Sequence, residues 1–253
     1  MGRHTQMDGQ IALVVGAGSG IGLATAEALA LKGATVICAD LDIATASQTS
    51  EEITQIGGKS IFLQVDVTQQ NSVEVLVDTV ILKFGHIDAM ANTVGVTGPT
   101  GKPSHELDVS EFMSTFEINF YSAIRLQNAI IPHMLKQGYG RIMHVASIAG
   151  KEGNPNMAPY SASKAALIGF VKSTAKEVVT KGITINSIAP AVIRTPMNAA
   201  TAPSALEHII SKIPMSRLGE PWEVAEVIAF ALSPAAGFIS GFVFDASGGR
   251  ATY

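Results

Sequence analysis

The stretch VVGAGSGIGLATAEALA, Val14–Ala30, changes its periodicity half-way. Up to Val15 the run IALVV is short, apolar and rich in β-branched residues, as a buried strand is, and beyond Gly20 apolar residues recur at helical spacing. The junction carries Gly16, Gly20 and Gly22, with Ser19 and Ile21 between them. A strand-to-helix turn of this kind brings backbone N–H groups and a helix N-terminus up to a pyrophosphate. Glycines serve any tight turn, so the context decides. The turn closes the first strand, opens an amphipathic helix and is followed eighteen residues after Gly22 by Asp40, at the end of the next apolar run. A carboxylate there accepts hydrogen bonds from an adenosine ribose and repels a 2′-phosphate, which favours NAD over NADP.

The same alternation runs outward along the chain. TVICADL precedes a helical pattern over 44–56, SIFLQVDV one over 71–84, IDAMANT a long one over 109–136, and RIMHVAS the helix that includes Tyr160. ITINSIAP, a helical pair over 205–232 and a last strand GFVFDAS complete it. Strands separated by helices of that length pair in parallel through right-handed crossovers. The expectation is a single α/β domain over 8–253, a doubly wound parallel sheet of Rossmann type with helices on both faces, preceded by a flexible tail over 1–7.

Composition narrows the function classes. The 253 residues are 47% hydrophobic and 15% charged, with a net charge of −4 and no basic run, so a nucleic-acid surface is not expected. No apolar run approaches the ~18 residues needed to span a bilayer, so no membrane partner is expected either. The one cysteine, Cys38, lies in an apolar strand, which excludes an internal disulfide and suits a reducing, cytoplasmic compartment. No metal site is expected.

A second stretch, PYSASKAALIGF, Pro159–Phe170, sets Tyr160 and Lys164 four residues apart, on one face of a helix. A phenol titrates near 10 and must fall by roughly 3 units, or ~4 kcal/mol, to exchange a proton with an alcohol near neutral pH. One cation about 4 Å away at an effective dielectric of about 20 contributes on the order of 4 kcal/mol. Lys164 is sufficient in principle.

With GAGSGIG near its start and YSASK about 140 residues on, the chain resembles the short-chain dehydrogenase/reductase family over essentially residues 8–250. The resemblance implies catalysis by Asn119, Ser147, Tyr160 and Lys164: Tyr160 as acid or base, Ser147 orienting the carbonyl oxygen, Lys164 reaching the ribose hydroxyls, and Asn119 holding a water beside Lys164. It implies NAD contacts from the turn residues Gly16, Ser19, Gly20, Ile21 and Gly22, from Asp40 and Leu41, from Asp66 and Val67 at the adenine, and from Asn92, Gly95, Pro190, Ile193 and Thr195. Asn119 sits mid-helix, where Asn has no helical merit, and a local opening of the backbone would explain it. The chain departs from the family's motifs at Val15, where the family has a threonine whose side-chain hydrogen bond is then absent, at Thr93 and Val94, and at Ala191, which would be strained if a left-handed glycine is needed there.

The stretch 195–221 reads as a substrate lid. Met157, Met197, Val96 and Ile148 suggest an apolar pocket, while Lys151, Asn154, Arg194 and His208 offer contacts to a polar or anionic group. The resemblance also implies a homotetramer built through 237–249, where Ser247 replaces the family's usual aspartate. The expected activity is hydride transfer between NAD(H) and a small-molecule secondary alcohol or ketone, diol or sugar-derived hydroxy acid. A 3-oxoacyl-(acyl-carrier-protein) reductase and a catalytically weak NAD-binding regulator stay open as alternatives. Gly138, where such reductases tend to place an arginine, counts against the first, Lys181 counts for it, and the intact catalytic set opposes the second.

Overall fold

Seven short runs of branched apolar residues become seven parallel strands: β1 (Ile11–Val15), β2 (Thr35–Asp40), β3 (Lys59–Gln64), β4 (Ala89–Asn92), β5 (Gly140–Val145), β6 (Ile183–Pro190) and β7 (Val243–Ala246). The computed structural model describes residues 6–199 and 203–251. Most of the expected N-terminal tail, residues 1–5, and residues 200–202 of the expected lid therefore lie outside the described residues. The strand order is β3-β2-β1-β4-β5-β6-β7, so the winding reverses between β1 and β4. In such a sheet the crevice for a ligand opens at that reversal, outside the carboxyl ends of the strands.

The helices are α1 (Gly20–Leu31), α2 (Ile43–Gln55), α3 (Gln70–Phe84), α4 (Val109–Phe116), α5 (Ser122–Gln137), the short α6 (Ala149–Glu152), α7 (Ala158–Val178), α8 (Pro203–Ser211) and α9 (Pro221–Leu232). Strand alternation sends Ala12 and Val14 into one core with α1, α2 and α9, and Ile11, Leu13 and Val15 into another with α3, α5 and α7. Both faces of β1 are thus buried. Its run IALVV is apolar at every position for that reason, and each buried Val or Leu contributes roughly 1.5–3 kcal/mol.

One expected helix is divided. The pattern over 109–136 forms α4, then a π-helical turn over Glu117–Tyr121, then α5. The wider turn falls on Asn119, and π-turns inside α-helices often mark functional sites.

Candidate active site

The glycine turn is built by close approach. A Cβ at Gly22 would overlap the carbonyl oxygen of Gly16, and one at Gly20 would sit 3.0 Å from the Thr195 methyl carbon. Only a bare backbone fits between β1 and α1. Ser19 stands at the N-cap of α1 without a side-chain cap, so the first-turn N–H groups of Gly20 and Ile21 are left to a ligand, while Gly22 N donates to Ser19 O at 3.1 Å. Asp40 is half-buried and ties the turn to β2. Its Oδ2 accepts from Gly18 N at 2.8 Å and its Oδ1 from Asp42 N at 3.1 Å. Leu41, next to it, is exposed.

Thr93 supplies a contact that sequence reasoning missed. Its hydroxyl donates to the carbonyls of both Val15 and Gly16, at 2.8 and 3.1 Å, and so anchors the turn from β4. The departures at Val15 and Thr93 therefore belong together: the side-chain hydrogen bond absent at position 15 has a counterpart from across the sheet. Asn92 turns inward. Its Oδ1 accepts from Val94 N at 3.2 Å, which leaves Nδ2 facing His144 Nδ1 at 3.3 Å. A neutral His144 then carries its proton on Nε2, 3.0 Å from the amide of Gln127, and turning that amide to present oxygen also pairs an oxygen otherwise without a partner. His144 is fully buried, and burial followed by the charge of Lys164 holds it down to about 3.

The crevice beyond the glycine turn brings Asn119, Ser147, Tyr160 and Lys164 together. The π-turn lets Asn119, buried on α4–α5, grip Val96 from both sides: Oδ1 accepts from Val96 N at 2.8 Å and Nδ2 donates to Val96 O at 2.9 Å. Its Nδ2 also donates to Ser163 Oγ on α7 at 3.0 Å. Ser147 follows β5; its hydroxyl accepts from Ala149 N at 3.1 Å and interacts with the Tyr160 phenol, favouring its ionised form. Lys164 Nζ donates to Val145 O at 2.8 Å and lies 5.9 Å from the centre of the Tyr160 ring. Among the described residues that is its one hydrogen bond, so two of three ammonium protons face the crevice. Gly95 makes room for the group. A Cβ there would stand 3.1 Å from Lys164 Nζ and 3.4 Å from Asn119 Oδ1.

The remaining expected cofactor residues line the same edge. Asp66 and Val67 follow β3, with Asp66 Oδ1 accepting from the backbone and hydroxyl of Thr68. Pro190 ends β6 and accepts from Ile148 N, the buried Ile193 bridges to Gly219, and Thr195 stands over Gly20.

Residues 16–251 match a family model described as enoyl-(acyl carrier protein) reductase. The chain is a short-chain dehydrogenase/reductase. It is 39% identical to a 3-oxoacyl-[acyl-carrier-protein] reductase of Synechocystis sp., over 98% of this chain and 100% of that one. It is 36% identical to a 2-dehydro-3-deoxy-L-rhamnonate dehydrogenase (NAD(+)) of Sphingomonas sp., over 97% and 96%. A solved structure of a 7α-hydroxysteroid dehydrogenase complexed with NADH and 7-oxo glycochenodeoxycholic acid superposes with a TM-score of 0.92 at 34% identity, covering 97% of this chain and 96% of the other. The protein is thus an oxidoreductase of CH–OH groups that works with a nicotinamide cofactor. Its bare glycine turn, uncapped helix N-terminus and half-satisfied Lys164 fit such a group.

Several expectations for this dehydrogenase need correction. Lys164 is not what sets the Tyr160 pKa in the unliganded fold: burial raises it, and the Ser147 hydrogen bond opposes that rise. Burial also pushes Lys164 itself down to about 8. Ala191 is unstrained, since its backbone is not among those with positive φ. Ile148 is buried and packs against Ala189 and Ala251. Of the polar candidates, Lys151 pairs with Asp245, Asn154 with Arg250 and Arg194 with Glu220. Among the described residues no group of His, Cys, Asp and Glu could hold a metal, and no helix is long and apolar enough to cross a membrane.

Proposed function

We propose that residues 8–253 act as one catalytic domain, an NAD(H)-dependent dehydrogenase of a small secondary alcohol, diol or sugar-derived hydroxy acid, in the cytoplasm. The observation that carries the reading is the convergence of Ser147, Tyr160 and Lys164 at the carboxyl end of β5, on the same sheet edge as Asp40. Bound NAD⁺ supplies the hydride acceptor and a positive ring charge. Tyr160 exchanges the proton of the substrate oxygen and Ser147 fixes that oxygen beside the phenol. Because burial keeps Tyr160 protonated, it is ready as an acid for reduction, whereas oxidation needs the nearby positive charges to lower it. Lys164 offers its two free N–H donors to ribose hydroxyls, and Asn119 holds the Val96 segment and the water path beside it. Asp40 takes the adenosine ribose and disfavours a 2′-phosphate. Turnover of a panel of secondary alcohols, cyclic diols and sugar acids, read by NADH absorbance, tests the reading, and a panel inert with NAD⁺ but active with NADP⁺ contradicts it.

A 3-oxoacyl-(acyl-carrier-protein) reductase is the second reading, favoured by the Synechocystis relative. It requires NADPH-linked reduction of an acetoacetyl thioester, which Asp40 opposes. We further propose a homotetramer, since Phe238 and Phe242 are exposed in the segment that leads into β7, an edge strand whose outer side is unpaired. Light scattering at micromolar concentration should give four chains, and a monomer overturns this.

A further inference from the structure

Two of the polar residues that sequence reasoning gave to the substrate, Lys151 and Asn154, are engaged by the last strand and the turn after it. Asp245 on β7 is 3.3 Å from Lys151 Nζ through Oδ2, while its Oδ1 accepts from Ser247 N at 3.0 Å and Ser247 Oγ at 2.6 Å. Ser247 Oγ in turn accepts from Ala251 N at 2.9 Å, closing a compact turn. From that turn Arg250 reaches back over the loop beyond Ser147. Its Nε donates to Glu152 Oε2 at 3.1 Å and its second terminal nitrogen to Asn154 Oδ1, also at 3.1 Å. The Arg250 and Lys151 side chains are only 12% and 7% exposed, while their partners Glu152 and Asp245 are 27% and 34% exposed, so the two pairs are partly shielded from the solvent that makes surface ion pairs weak.

The same turn holds the opposite wall. Met215 N donates to Gly248 O at 3.2 Å, just after α8. Gly248 has a φ of +64°, and a Cβ there would come within 2.7 Å of the buried Ile213 side chain. Gly249 lies against Pro214, while Ala251 packs on Ile148, the residue after Ser147. One short segment therefore touches both the Ser147 loop and the foot of the 203–216 segment.

We propose that Asp245–Ala251 is a tie between the two walls of the substrate crevice, with Arg250 and Asp245 as positioning residues that set substrate affinity by fixing the Ser147 loop against the turn after α8. The kinetic part rests on the dehydrogenase reading; the structural part does not. A guanidinium spans Glu152 and Asn154 together, whereas the ammonium of Arg250→Lys engages one of them at a time. The experiment compares wild type, Arg250→Ala, Arg250→Lys and Asp245→Asn by hydrogen exchange and by steady-state kinetics with the best substrate of the panel. Arg250→Ala should speed exchange in 148–157 and in 213–216 together, without change in 11–22. It should raise KM tenfold or more with kcat within threefold and the NADH Kd within twofold. Arg250→Lys should fall between Ala and wild type on both measures, and Asp245→Asn should loosen the same two segments. Faster exchange in one wall only, or in neither, overturns the tie, as does an unchanged KM in Arg250→Ala. If wild type turns over no substrate, the dehydrogenase reading fails, and exchange still decides the tie.

Discussion

Replacing Asp40 by alanine separates cofactor choice from every other property of the site. The carboxylate bonds Gly18 N at 2.8 Å, and in the proposed reading it also presents negative charge where the adenosine ribose ends. A phosphate charge about 5 Å from it costs on the order of 3 kcal/mol at an effective dielectric of about 20. Because Asp40 is only half-buried, screening reduces that to about 1.4–2 kcal/mol, or roughly 10- to 30-fold in affinity. Asp40→Ala should therefore tighten NADPH binding at least tenfold. It should weaken NADH binding by up to about tenfold, through the lost ribose acceptor and the loosened Gly18 contact, each worth about 0.5–1.5 kcal/mol. The ratio of the two dissociation constants should move by about two orders of magnitude. Fluorescence titration of both dinucleotides against wild type and variant measures it directly, and a ratio that moves less than threefold refutes the assignment of Asp40.

Two further predictions come from contacts that lie behind the crevice. Thr93→Val removes the hydroxyl bonded to Val15 O and Gly16 O, so urea denaturation should show a loss of about 1–2 kcal/mol, with weaker NADH binding, while Thr93→Ser should behave as wild type. His144 is held neutral at about 3 in the fold, against about 6.5 when unfolded, so the unfolded chain binds the extra proton between those values. Stability should accordingly fall as pH drops below about 6.5, by about 1.4 kcal/mol per unit from this group alone, and His144→Asn should flatten that slope in urea titrations at pH 6.5 and 5.

The strands and the glycine turn were legible because their signals are local. IALVV reads as a doubly buried strand from its own five residues, and Gly16, Gly20 and Gly22 announce the turn by spacing. Asn119 was half legible: a poor helix former in mid-helix pointed to a backbone opening, and the π-turn over Glu117–Tyr121 is that opening. The contacts that escaped join residues far apart. Thr93 meets Val15 from 78 positions away and Arg250 meets Glu152 from 98, and nothing in either segment names its partner. The Tyr160 pKa escaped for a different reason. Helical spacing gave the Lys164 charge but not the depth of the phenol, and desolvation is the larger effect.

The proposed catalysis in this crevice rests on Tyr160 exchanging the substrate's proton while Ser147 and Lys164 hold the geometry around it. Tyr160→Phe keeps the ring and removes only the phenol oxygen, so NADH titration and turnover of the same preparation isolate that step. The NADH dissociation constant should stay within about threefold of wild type, while kcat should fall by at least ~10² to 10⁴, the usual worth of a positioned proton donor. A Tyr160→Phe variant that binds NADH normally and turns over at a rate near wild type would remove Tyr160 from the chemistry.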